Sequence, residues 1–323
     1  MIILFDTNLT LKFINMQHSI KTLLAVLAIA VASTFTSCYS PIEEDAPEEP
    51  SSTTRSEVLI RHNVFDFQQG NYDATRAALS DASSAKILAI STYIYGDENT
   101  VAYSETQYRK DYTSNPEEFG VVKTALPAGT YSLVSVGYEC DTAAAKFTSP
   151  EVVQLPTPLI DAWSATESFT LDEAGSKDVA LDLKLAVTHA VITSTDFPTA
   201  DATYVRIKFS KGHGRKFNPY TQASINTRSD GSFTATCTIA NSLNSDGKFV
   251  FDRSFFIPTT PTDITVSYDI LDANEAVLRS YTIGEYPFKR SGINRFTGPV
   301  FEATGAFTFT ATTNWEEYKD INF

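Results

Sequence analysis

The chain has 323 residues, 42% of them apolar and 20% charged, with a formal net charge of −14 and a pI near 4.7. That is length for about two domains and enough apolar material for a core, while the acidic balance excludes nucleic acid as a partner, because phosphate binding needs clustered Lys and Arg. Three cysteines are too few for a disulfide framework or a Cys-rich zinc module, and both methionines lie within the first sixteen positions, leaving a body rich in Phe, Tyr, Thr and Val, a strand-forming composition.

The first forty residues read as an address. Met16 is followed by Lys21 and the apolar run 23–31. The run is too short for a membrane-spanning helix, which needs about 20 apolar residues, but fits the core of a secretory signal with a charged flank. Translation is expected to start at Met16, with 1–37 removed as signal peptide. Ser33, Thr34, Thr36 and Ser37 precede Cys38, and small residues ahead of a Cys resemble the bacterial lipobox, in which the Cys becomes the acylated N-terminus. Several acyl chains on Cys38 would anchor the protein without a membrane helix. Residues 38–56 read as a lipidated acidic linker. Pro41, Pro47 and Pro50 break any regular element, and Glu43, Glu44, Asp45, Glu48 and Glu49 repel one another. Acidic residues this soon after the Cys resemble the surface-export signal of Bacteroidetes lipoproteins.

From about Val58 the hydrophobic period is two, the mark of half-buried strands. At 178–187, Val179, Leu181, Leu183, Leu185 and Val187 oppose Asp178, Ala180, Asp182, Lys184 and Ala186. Residues 203–209 and 232–239 alternate likewise, and further strands are expected at 86–95, 130–140, 249–257, 264–271, 277–283 and 306–312. A short helix is expected over 73–85. Many strands, few helices and polar outer faces predict antiparallel β-sandwiches in series. The first covers 57–188 and the second 189–323.

Catalytic signatures are sparse. There is no His-x-x-x-His, no Gly-x-Ser-x-Gly and no EF-hand loop. His189 shares the phase of Val187 and Val191 and reads as a satisfied core or interface residue. His213 lies in the basic Gly-rich loop 211–216, which reads as an exposed turn. Cys140 and Cys237 share apolar strand phases and read as small buried hydrophobes, with a disulfide between them the less favoured reading. Glu117-Glu118 and Glu316-Glu317 are sequence neighbours, and neighbours on a strand point to opposite faces. No catalytic, cofactor or metal site is expected, and no enzyme activity.

Three features together resemble the Bacteroidetes fimbrillin superfamily, most of all its lipoprotein fimbrial subunits of the FimB/Mfa2 kind. They are Thr36-Ser37-Cys38 with its tether, Leu126-Pro127-Ala128-Gly129-Thr130-Tyr131-Ser132-Leu133-Val134, and Ile293-Asn294-Arg295-Phe296-Thr297-Gly298-Pro299-Val300-Phe301 ahead of the last strands and Trp315. The resemblance implies two tandem transthyretin-like sandwiches in an all-β fold, anchored in the outer membrane through lipid (palmitate-type acylation) on Cys38. It implies an anchor or accessory fimbrial subunit in cell adhesion, with other subunits as partners through β-strand exchange. The final strand near 306–312 is the expected donor. In shaft subunits of that family cleavage after an Arg opens the acceptor groove, which makes Arg55 and Arg61 candidate processing sites. The alternative reading is a surface glycan-binding lipoprotein, with Tyr, Trp163, Trp315 and Thr-rich faces as a sugar platform.

Overall fold

The computed structural model describes residues 54–65, 76–78, 86–226, 228–302 and 306–312. Alternation sets the first strand. In β1 (Arg55–Phe65), Ser56, Val58, Ile60, His62 and Val64 are buried while Arg55, Glu57 and Arg61 are exposed, the two-residue period of a strand with one face in the core. The chain continues through β2 (Arg76–Ala78), β3 (Ala89–Tyr95), β4 (Val101–Tyr108), β5 (Val121–Pro127), β6 (Gly129–Tyr138), β7 (Lys146–Ser149), β8 (Val152–Gln154), β9 (Ala162–Leu171) and β10 (Ser176–Leu185).

Two layers form from these strands. In one, β1 lies between β10 and β5; in the other the order is β9-β6-β3-β4. The layers join at one edge through only two residue pairs, Lys184 with Ser164 and Leu185 with Trp163. Between them Val58, Ile60, Val122, Leu126, Val179 and Leu181 pack against Ile94, Tyr131, Leu133, Phe169 and Leu171. The Pro-Gly motif makes the crossing. β5 ends at Pro127, Gly129 opens β6 in the facing layer, and the Tyr131 hydroxyl donates to the Pro127 carbonyl at 2.9 Å.

The helix expected over 73–85 is corrected where the structure describes it. Residues 76–78 form β2, antiparallel to Asn63–Phe65 of β1. β5 pairs β1 only as far as Arg61, so the last residues of β1 have an open edge there, and the ladder is completed by β2. The rest of that segment lies outside the described residues.

The second half repeats the plan with β11 (Thr188–Ser194), β12 (Tyr204–Phe209), β13 (Lys216–Phe217), β14 (Phe233–Thr238), β15 (Val250–Phe255), β16 (Thr262–Leu271), β17 (Val277–Phe288), β18 (Ile293–Gly298) and β19 (Thr308–Thr312). One sheet has the order β15-β11-β18-β19, the other β14-β12-β16-β17. Their shared core is aromatic. Phe209 stacks on Phe233 with ring centroids 4.9 Å apart and meets Phe255 at 4.6 Å, while Phe296 and Tyr286 close around Phe309 at 5.1 and 4.3 Å. The fold is all-β and built of β-sandwiches. Among the described strands every pairing is antiparallel except two: β1 beside β10 and β11 beside β18. In each half, then, the first strand lies parallel to a late one.

Sheet membership changes between β10 and β11, yet the described strands form one compact unit. A small third sheet joins the halves, β13 pairing β8 and β8 pairing β7. Beneath it Phe217 and Phe256 stack at 4.1 Å in an apolar cluster with Tyr138, Val153, Leu155 and Val187.

Phe209 is fully buried and Phe197 is 63% exposed. Phe209→Ala is expected to cost about 3–5 kcal/mol of unfolding free energy. Phe197→Ala should stay within about 0.5 kcal/mol of the wild type. Urea denaturation followed by intrinsic fluorescence measures both, and equal costs would contradict the core assignment.

Candidate functional site

β1 is the first described strand of the chain. Val58 and Ile60 face the sandwich core. On the outer face Arg61 Nη1 lies 2.5 Å from Asp178 Oδ2 of β10, with both side chains about half exposed, a pair worth at most about 1 kcal/mol. The two candidate processing residues sit differently. Arg61 is flanked in register by Ala180 of β10 and Val121 of β5, so its peptide bond lies inside a ladder paired on both edges. Arg55 opens the strand opposite Pro127, and the β10 pairing begins only at Glu57. Ser56 is stapled next to it: its hydroxyl donates to the Asp172 carbonyl at 2.7 Å and accepts the Gly175 amide at 3.0 Å. Scission after Arg55 would therefore leave β1 seated, whereas scission after Arg61 would free Val58 and Ile60 with the severed piece.

His62 holds the other end of β1. Its Nδ1 lies 2.7 Å from the Gly120 carbonyl, which can only accept, so Nδ1 carries the hydrogen. Nε2 faces the hydroxyls of Ser135 at 2.8 Å and Thr92 at 3.3 Å. Burial disfavours the cation and lowers the pKa to about 4.

A second buried polar cluster joins the two halves. His189 on β11 places Nε2 2.7 Å from Asp161 Oδ1 and Nδ1 3.1 Å from Asp252 Oδ1. Asp161, just ahead of β9, also accepts from Ser254 at 2.5 Å and lies 3.4 Å from Lys86 Nζ. Burial alone would raise the Asp161 pKa, but the His189 charge and hydrogen bond outweigh it and hold it at about 2. Burial likewise works against the His189 cation, and the carboxylates overcome it, so its pKa is raised. Ser254 thus adds a second donor to the Asp161 carboxylate beside the His189 imidazole.

The other residues singled out from the sequence lie apart from one another. Cys38, Trp315 and Glu316-Glu317 lie outside the described residues. Trp163 is buried against Val64, Ile87, Ile90 and Leu183, which corrects its place in the sugar platform, since its ring has no open face to offer. Cys140 and Cys237 are free thiols. Cys237 is buried, but Cys140 is only half-buried, because β6 ends at Tyr138 and the alternation ends with it. The loop 211–216 is internally committed: His213 Nδ1 accepts the amides of Arg215 and Lys216 at 3.1 and 3.0 Å, so these donors are not presented to an anion. The expected donor segment forms β19, which pairs β18 of its own chain. Asp196 carries no sequence signal. Its carboxylate accepts the amides of Val300, Phe301 and Glu302 at 2.6–2.8 Å and thereby fixes the residues that follow β18.

No family model matches the chain, and no curated protein does. Solved structures do. A candidate adhesin from Bacteroides thetaiotaomicron is 10% identical, with 82% of this chain and 98% of that one covered, at a TM-score of 0.47. The fimbrial anchor protein Mfa2 from Porphyromonas gingivalis is 10% identical over 80% of this chain and 98% of that one, at 0.45. A fimbrial assembly protein from Parabacteroides distasonis is 10% identical over 81% and 97%, at 0.40.

The two buried histidines give opposite pH dependences. His62, with its folded pKa depressed to about 4, favours the folded state fully above pH 6.5. That contribution, about 3 kcal/mol, is lost as pH falls from 6.5 to 4. His189, with a raised folded pKa, contributes fully below pH 6.5 and loses its share as pH rises through the folded value. His62→Gln should therefore flatten the acid limb of a urea-midpoint profile between pH 7 and 4. His189→Gln should lower the midpoint more at pH 6 than at pH 9. The same shift at both pH values would overturn the His189 assignment.

Proposed function

We propose that the chain is an outer-membrane, lipid-anchored fimbrial subunit. It serves as an anchor or accessory component, assembles with other subunits by β-strand addition and contributes to adhesion. The observation that carries this reading is the position of β1. Arg55 follows Cys38 by 17 residues of sequence (55 minus 38), and the acidic tether leads straight into a strand paired on both edges. Tension between a membrane lipid and a fibre pulls along β1. It loads the hydrogen bonds to β10 and β5 together in shear instead of opening them one at a time. An anchor needs that geometry, and it needs β1 uncut.

The other end supplies the means of assembly. Among the described strands β19 comes last in its sheet and pairs only β18, a position at which a sheet can accept an added strand. It also covers aromatic core. Phe309 lies on Tyr286 and Phe296, and Phe307 on Tyr268. Exchange with a neighbouring subunit would swap equivalent backbone pairs and refill the same aromatic sites. In this reading the protein acts mechanically and is not an enzyme.

Mass spectrometry of the N-terminus from native membranes tests the anchor. An acylated Cys38 is the expected species; a free terminus at Ser56 or His62 would make the chain a processed building block instead. Cys38→Ala should move the protein from the membrane to the soluble fraction. For strand addition, a chain ending at Glu302 should bind a synthetic peptide covering 306–323 and should form no oligomer ladders without it. Ladders of undiminished length would remove the donor role from this segment.

A further inference from the structure

A cleft of about 480 Å³ opens where β9 and β10 part, above their two joined residue pairs. Its floor is the outer end of these strands, with Glu167 from β9 and Asp182 and Lys184 from β10. One wall is the loop 219–222, and Arg290 completes it. The residues thus come from both halves of the molecule, and neither half forms the cleft alone.

The wall is held in place before any ligand arrives. Asn218 Oδ1 accepts the amides of Tyr220 and Thr221 at 2.9 and 3.2 Å. Gln222, at a φ of 55°, donates through Nε2 to Ser164 Oγ at 3.1 Å and to the Lys184 carbonyl at 3.3 Å. Ser164 Oγ in turn donates to the Pro219 carbonyl at 3.3 Å. This network presents Tyr220 at the rim, 42% exposed although it is a large aromatic side chain. Arg290 is drawn into the protein, and its Nε has no partner among the described residues.

The chemistry points to a particular kind of ligand. Two carboxylates, Glu167 and Asp182, stand with two cations, Lys184 and Arg290, so the lining has no net charge to attract a polyanion. Acceptors and donors share the lining, which suits hydroxyl groups, since each donates and accepts at once. An exposed ring offers a flat apolar face for the C–H face of a sugar. The volume lies within the range of small-ligand sites, roughly 300–1,000 Å³. The polar hollow beside His189 is different: there the imidazole and both aspartates are engaged with one another.

We propose that this cleft binds neutral glycan of about disaccharide length. Tyr220 stacks on a sugar ring, Glu167 accepts from its hydroxyls, and Lys184 and Arg290 donate to its oxygens, while Asp182, which accepts from Asn63 Nδ2 at 3.3 Å, balances the charge of the lining. The site is independent of the anchor and of strand addition, and it would give a fibre component its own contact with carbohydrate.

The test titrates the full chain with maltose, lactose, cellobiose, mannobiose and diacetylchitobiose, read by calorimetry and by saturation-transfer NMR. At least one should give saturable binding. Tyr220→Ala should weaken it about tenfold, the scale of a single aromatic contact, Glu167→Gln should weaken it measurably, and Tyr220→Phe should retain it. Both altered side chains are exposed at the rim, so thermal melting should not change. Three results would each overturn the proposal: saturable binding by none of the five, affinity unmoved by Tyr220→Ala and Glu167→Gln, or tighter binding of a uronate-containing disaccharide than of any neutral one.

Discussion

β1 is in register with β10 over eight residues and with β5 over seven, and the N-terminal sandwich depends on that double pairing. The strand supplies Val58 and Ile60 to the core between the layers. It anchors the β9–β10 turn through Ser56, and it buries His62 at the far end. Without it, β10 and β5 would each have an unpaired edge on either side of a strand-wide gap, and their apolar faces would be open to water. A strand that completes a fold in this way transmits force well and, once removed, leaves a receptive groove. Which of the two it does depends on whether the chain is cut beyond its core-facing residues Val58 and Ile60.

The C-terminal half uses the same parallel device in β11 and β18, but it is completed from its other end, by β19. The two halves share an apolar junction under the β7-β8-β13 sheet. They also share the Asp161–His189–Asp252 cluster, which ties a residue ahead of β9 to two strands of the second half. Taking three ionisable groups out of water costs several kcal/mol per ion. The cost is offset only while all three face one another, which makes this cluster sensitive to the relative placement of the halves.

The fold class was legible because burial follows the two-residue period. Val205, Ile207 and Phe209, like Val179, Leu181 and Leu183, are buried as their alternation predicts. The same logic failed where local preference and pairing disagreed. The Ala-rich segment around 76–78 reads as helix, yet its middle completes an open stretch of the β1 edge. Cys140 reads as buried by phase, but the strand stops two residues before it. Trp163 reads as a platform by residue type, and packing turned it inward. Asp196 and the Tyr220 loop carry no local signal. Their roles arise from partners about a hundred residues away in one case and about sixty in the other.

The linear order of residues determined the strand-rich body, its acidic balance and the Pro–Gly turn into β6, because each is a property of short windows. Tertiary structure alone decided that β1 pairs parallel to a strand about 120 residues further on, that burial lowers the pKa of His62 while two aspartates raise that of His189, and that the polar cleft draws its lining from both halves. Those are contacts between distant segments, and their energies depend on burial and on the charge opposite, neither of which any local pattern records.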